Sequence, residues 1–172
     1  MMSMARIAVL IGDMFEDVEY TEPVKAFRKA GHDIVHVGLE KNSTVTGKKK
    51  GTPVKIELAV KETKVGDFDA LLIPGGYSPD KLRVDEDAVA FAKDFVKSAK
   101  PVFSICHGPQ ILITADVLRG RKVTGWKSII QDIKNAGAEF IDQEVVEDGN
   151  LVSSRQPSDI QAFVDASLKK LS

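Results

Sequence analysis

Short apolar runs, rich in β-branched residues and closed by glycine, recur along this chain and restrict its fold more than any other feature. The first is "RIAVLIG", Arg6 to Gly12. It is too short for a stable helix and lacks polar alternation, which predicts a strand buried on both faces. An amphipathic stretch follows, "TEPVKAFRKAG", with Val24, Phe27 and Ala30 at helical spacing and Gly31 in a stop position. The alternation then repeats. "HDIVHVGLE" and "TPVKIELAV" read as strands, and "DALLIPGG" (Asp69 to Gly76) is a buried strand ending in a Pro-Gly-Gly turn. Glu86 to Ser98 carries Val89, Phe91, Ala92, Phe95 and Val96 on one helical face. "PVFSI" (Pro101 to Ile105) returns to strand and "PQILITADVL" to helix. Strands and helices in regular turn imply parallel pairing with right-handed crossovers.

The end of the chain departs from that rhythm. Asp148-Gly149-Asn150 separates "QEVVE" from "LVSS", a hairpin signal. "PSDIQAFVDASLKKL" then closes the chain as a helix opened by Pro157 and Ser158, with Ile160, Phe163, Val164 and Leu168 on one side. No linker, repeat or low-complexity segment interrupts residues 1–172, which are expected to form a single three-layer α/β domain.

Charge excludes some partners. The chain has 24 basic and 25 acidic residues, so net charge offers no reason to expect nucleic acid or an anionic membrane. The one basic run, "GKKKG" (Gly47 to Gly51), reads as a solvated loop. "MMSMARIAVLIGD" is too short in its apolar part for a membrane span and lacks a signal-peptide layout, so a cytoplasmic location is expected. With a single cysteine, the fold has no intramolecular disulfide.

That cysteine, Cys106, follows "PVFSI" directly and precedes His107, Gly108 and Pro109. Pro109 suits the first turn of a helix, and Gly108 leaves space for a sharp strand-to-helix turn. A thiol there sits at the carboxyl edge of the sheet, where the helix N-terminus favours thiolate. The alternative is a packed structural cysteine. The first strand ends at the same edge, followed by four candidate acid partners: Asp13, Glu16, Asp17 and Glu19. Spacing alone does not choose among them, and for any one of them helix-start decoration is the favoured explanation. Gly75 and Gly76 also end a strand there, and their N–H groups are candidates for an oxyanion site. His32 and His36 are expected at a surface or strand edge, and three histidines with one cysteine offer no zinc spacing. No metal or cofactor is expected.

"FEDVEY" (Phe15 to Tyr20), "ALLIPGG" (Ala70 to Gly76), "SICHGPQILI" (Ser104 to Ile113) and "NAGAEFIDQEVVEDGNLVSSRQPSD" (Asn135 to Asp159) together resemble the PfpI family of intracellular cysteine hydrolases. That family lies in the class I glutamine amidotransferase-like superfamily, with the Parkinsonism-associated deglycase, and the likeness is to its bacterial general-stress branch. The resemblance implies a flavodoxin-like sandwich with Cys106 as nucleophile. It implies Glu16 as the carboxyl touching the thiol, and Gly76 with the backbone near His107 as oxyanion donors. In peptidase-type members, His107 is oriented by an acid from a neighbouring subunit of a homo-oligomer, in a "GG-x-x-P-E" pattern. Here Asp80 stands at that position, one methylene shorter. Lys49 stands where relatives often have histidine, and Tyr77 and Trp126 are the pocket aromatics the resemblance implies, with a core tryptophan an equal reading of Trp126.

These implications lead first to a stress-response deglycase or glyoxalase acting on methylglyoxal, glyoxal or their glycated adducts. The alternatives are a peptidase with a Cys106, His107 and Asp80 triad shared between subunits, and a redox sensor working through Cys106 oxidation. Glutamine amidotransfer is not expected, because that activity normally needs a later histidine and none follows His107.

Overall fold

A computed structural model describes residues 4–172; Met1 to Ser3, where the signal-peptide reading begins, lie outside the described residues. In chain order the elements are β1 (Arg6–Leu10), α1 (Asp17–Lys29), β2 (Asp33–Gly38), β3 (Thr44–Thr46), β4 (Pro53–Lys55), β5 (Leu58–Ala59), β6 (Ala70–Ile73), α2 (Ser78–Leu82) and α3 (Glu86–Lys97). There follow β7 (Val102–Ile105), α4 (Pro109–Thr114), β8 (Lys122–Val123), α5 (Ile130–Asn135), β9 (Glu139–Phe140), β10 (Val146–Asp148), β11 (Leu151–Ser154) and α6 (Ile160–Leu171).

Seven strands form the main sheet in the order β10-β11-β7-β6-β1-β2-β5. Every neighbouring pair is parallel except the hairpin β10–β11, where Asp148 faces Leu151 across the Gly149-Asn150 turn. The apolar runs are the central strands, broken only by Arg6 at the start of β1 and Ser104 in β7. All four residues of β6 and of β7 are buried. Successive side chains point to opposite faces, and two apolar clusters result. Ala8, Leu10, Leu71, Ile73 and Val102 pack with Phe91 and Phe95 of α3. Ile7, Val9, Leu72, Phe103 and Ile105 pack on the other face with Phe27 of α1 and Phe163 of α6. This is the predicted flavodoxin-like three-layer α/β sandwich.

Three local expectations change. "TPVKIELAV" is not one strand: β4 pairs with β3 in a separate two-stranded sheet, and β5 takes the edge of the main sheet. The helix over "PQILITADVL" stops at Thr114, because Asp116 turns to φ +55°. Most consequential, α1 begins at Asp17, a full turn earlier than the apolar spacing of Val24 and Phe27 indicates.

Strand order reverses at β1, whose neighbours are β2 and β6. In open α/β sheets the crevice beyond the strand ends at such a reversal is where ligands bind. The segments after β1, β6 and β7 all converge there. Phe15 bridges to both Gly47 and Gly76 and draws the β3–β4 loop over the same edge.

Candidate active site

Cys106 adopts φ +61°, a left-handed conformation that residues with a Cβ rarely take. The surrounding backbone enforces it. The Cys106 N–H donates to the Ser154 carbonyl at 3.0 Å, and the Cys106 carbonyl accepts from Trp126 N–H at 2.8 Å. Gly108 is required for space: a Cβ there would lie 2.5 Å from Ser104 Oγ and 3.0 Å from the Ile73 carbonyl. The strand-to-helix elbow expected from "ICHGP" is therefore present, with the strain carried by the cysteine itself.

The sulfur lies in a cleft of about 370 Å³ whose walls include Glu16, Glu19, Lys48, Gly76, His107 and Trp126. Tyr77 also lines it, 57% exposed, with the Lys48 ammonium 5.1 Å from its ring centroid. Trp126 stands on the far wall, its ring 6.4 Å from that of His107. Both expected pocket aromatics are thus at the cleft. The N–H groups of His107 and Gly76 are directed to the Cys106 sulfur and favour its anion. Gly75 has a packing reason, since a Cβ would meet Glu19 Oε1 at 2.4 Å and Cys106 Cβ at 2.9 Å. Gly76 combines φ +75° with contact to the Glu16 backbone.

The carboxyl against the thiol is Glu19, which corrects the expectation for Glu16. Glu19 is fully buried, and its Oε1 accepts from Gly75 N–H at 2.9 Å. Its Oε2 makes no conventional hydrogen bond, and the carboxyl interacts with the Cys106 sulfur. Glu16 points elsewhere: its two oxygens take Lys49 Nζ at 2.7 Å and Lys48 Nζ at 3.0 Å. The cause is the early start of α1. Glu16 becomes the N-cap, and Glu19 falls on the inward face one turn before Pro23 and two before Phe27. The spacing Glu19, Pro23, Phe27 held this information, but a carboxylate on an apolar stripe reads as solvated until its pocket is known.

Electrostatics follow from that geometry. Burial, then the Glu16 charge, push the Glu19 carboxyl up to about 8, against the Gly75 N–H. Burial also raises Glu16, but hydrogen bonds from Lys49 and Lys48 outweigh it and hold that carboxyl below its usual range. Burial pushes the Cys106 thiol up, and an ionised Glu19 adds to the effect, more than the backbone N–H groups offset. The N–H groups of the turn still favour thiolate, so turn and burial oppose each other at this sulfur. Two buried acids in contact resist double ionisation, so the pair keeps at least one proton between them. A protonated Glu19 removes its charge from the thiol and can donate to sulfur, the arrangement in which thiolate forms most readily.

His107 Nδ1 lies 3.4 Å from Cys106 Sγ, and its Nε2 is 3.3 Å from Ser128 Oγ. Burial, then Lys48, lower its basicity, while Asp80 opposes them. Asp80 is exposed on α2, and among the described residues makes no hydrogen bond to His107. The basic loop is not merely solvated, because Lys48 and Lys49 close over Glu16. His32 is buried rather than exposed, its Nδ1 accepting from Ala5 N–H at 3.0 Å. Among the described residues, no group of three or more His, Cys, Asp or Glu side chains is arranged to hold a metal. No helix among them is long and apolar enough to cross a membrane.

An elbow-borne cysteine with a buried carboxyl on its sulfur, at the switch point of a parallel sheet, defines a class of cysteine-centred α/β proteins. The chain belongs to the DJ-1/PfpI family, whose pattern its residues 5–170 match. It is 56% identical over 167 residues to protein/nucleic acid deglycase 2 of Escherichia coli, covering 96% of this chain and 97% of that protein. Putative cysteine protease YraA of Bacillus subtilis is 54% identical over 166 residues, covering 96% and 98%. General stress protein 18 of the same species is 52% identical over 167 residues, covering 96% and 97%. Among solved structures, a two-domain protein of Anabaena variabilis with DJ-1/ThiJ/PfpI-like and ferritin-like domains superposes with a TM-score of 0.94 at 38% identity, covering 96% of this chain and 48% of that one.

Proposed function

We propose that this protein is a cysteine-dependent deglycase or glyoxalase acting on 2-oxoaldehydes such as methylglyoxal, or on their adducts with amines and thiols. The observation that carries the reading is the buried Glu19 carboxyl at the Cys106 sulfur, inside a cleft sized for a small electrophile. Sulfur adds to the aldehyde carbon, and the Glu19 proton passes to the new oxygen, giving a hemithioacetal. Glu19, now a carboxylate, takes the proton from that carbon and returns it to the neighbouring ketone carbon. A hydroxyl proton moves between the two oxygens, and a lactoyl thioester results. Water then cleaves the thioester to lactate and restores the thiol. In an amine adduct that carbon is already tetrahedral, so sulfur displaces the amine, which leaves with the Glu19 proton and gives the same hemithioacetal. The Gly76 and His107 N–H groups hold the oxyanion at each addition.

The name of the E. coli relative supports deglycation. The test is lactate release from methylglyoxal and from a preformed adduct, with free methylglyoxal scavenged in a parallel arm. Cys106→Ser is expected to abolish release from both substrates. Continued release under scavenging supports deglycation; loss of all release leaves glyoxalase chemistry alone. Full activity in Cys106→Ser would overturn the reading.

A second reading, peptidase, is favoured by the 3.4 Å approach of His107 Nδ1 to the sulfur and by the name of the YraA relative. It requires an acid to orient His107, and the role falls to Asp80 of a neighbouring subunit.

A further inference from the structure

Glu16 lines the cleft, yet it neither touches the thiol nor caps α1, where it occupies the N-cap position with no side-chain hydrogen bond to the helix. Its side chain is 6% exposed, and two ammonium groups at 2.7 and 3.0 Å hold both of its oxygens. Removing the Glu16 carboxylate and most of Lys48 from water is costly, while Lys49 stays 64% exposed, and Glu16 makes no helix-cap hydrogen bond that would offset that cost. What the cluster does have is position. Glu16 stands three residues before Glu19, one helical turn away on the same side, facing the same cleft.

We propose that Glu16, clamped by Lys48 and Lys49, is a positioning residue that keeps the proton shared by Cys106 and Glu19 on that pair. The inference rests on the reading of Cys106 and Glu19 as the reacting groups. The charged and titratable groups facing Glu19 can be named element by element. Glu16 comes from its own helix start, and Lys48, with Lys49 beyond it, from the β3–β4 loop. The Gly75 N–H comes from the turn after β6, and Cys106, backed by His107, from the elbow. The Glu16 charge opposes loss of the shared proton, whereas Lys48 assists it. The two lysines also keep Glu16 ionised, so that its opposition persists through the neutral range. Glu16 and Lys48 therefore act on the pair with opposite sign.

Cys106 is the only cysteine in the chain, so its ionisation can be read without substrate. Iodoacetamide reacts with thiolate, and intact mass reports the alkylation rate across pH. The midpoint of the rising limb is expected to move to lower pH in Glu16→Gln and to higher pH in Lys48→Gln, each by at least about half a pH unit. The double variant is expected near wild type, and Lys48→Arg, which keeps the charge, is expected to restore the wild-type midpoint. Unchanged midpoints, or shifts of the same sign in both single variants, would overturn the proposal. If Glu16→Gln does not fold, the contrast between Lys48→Gln and Lys48→Arg decides alone. No aldehyde is present in this titration. Opposite shifts with no lactate release would sink the proposed reaction and leave the inference standing, and the reverse pattern would sink only the inference.

Discussion

Glu19 loses all contact with solvent on folding, so its carboxyl surrenders hydration that it keeps in the unfolded chain. Its ordinary value of 4.5 rises to about 8 in the fold. Between those two pH values the folded chain holds a proton that the unfolded chain has released. Stability attributable to this residue is therefore complete below pH 4.5 and is lost as pH rises toward 8. A Glu19→Gln variant keeps the shape without the titration. It is expected to gain stability over wild type as pH rises through that window, by up to about 1.4 kcal/mol per pH unit, while losing activity. Thermal unfolding of both proteins at pH 5 and pH 8 checks this, and parallel pH dependence would refute it. The same comparison shows why residue chemistry was only half legible. Cys106 announces itself through Gly108 and Pro109, whose local requirements are visible in five letters. Glu19 does not, because its role depends on which way a helix turns above a pocket made by other segments.

At the level of elements, the β3–β4 loop is fastened to the start of α1 by Asp17. Its carboxylate accepts from Lys49 N–H at 2.9 Å, Thr52 N–H at 3.1 Å and Thr52 Oγ1 at 2.7 Å. Burial opposes the charge, but these donors outweigh it and hold Asp17 well below the usual carboxylate range. A Cβ at Gly47 would lie 2.0 Å from Asp17 Oδ2, so only glycine lets the loop approach. Asp17→Ala leaves several donors without their anion and is expected to cost about 2–4 kcal/mol in denaturant unfolding. It should also free Lys48 and Lys49 and make the loop the first site of limited proteolysis. Because the folded value lies below the ordinary 3.8, the Asp17 contribution is present above that pH and disappears in acid. An Asp17→Ala protein as stable and as protease-resistant as wild type would contradict this account. Strands were the most legible elements, since β6 is apolar throughout and β7 is broken only by Ser104. Helix ends were less so. Apolar periodicity marks where α1 packs, whereas its first turn is built from acids whose burial periodicity does not register.

For the whole molecule, the reversal of strand order at β1 brings three segments distant in sequence to one edge. Glu19 follows β1, Gly76 follows β6 and Cys106 follows β7. The peptidase reading extends this convergence across a subunit boundary. If Asp80 of one copy orients His107 of another, neither Asp80→Ala nor Cys106→Ser cleaves a fluorogenic peptide alone. Refolding the two together should recover cleavage, because a mixed oligomer pairs an intact Cys106 with an intact Asp80. Persistent inactivity of the mixture, with wild-type peptidase active under the same conditions, would refute the shared triad.

The sequence by itself determined the layer architecture, the hairpin at Gly149 and the elbow at Cys106, because each follows from short-range requirements: strand length, apolar alternation, turn geometry and the space around a glycine. Only the tertiary structure decided that Glu19 rather than Glu16 meets the thiol, and that the lysine loop closes on Glu16. It also decided that burial and the Glu19 carboxyl oppose the pull of the turn's N–H groups on the thiol. Those outcomes depend on desolvation and on charges from separate segments, and both arise only after the sheet has brought the segments together.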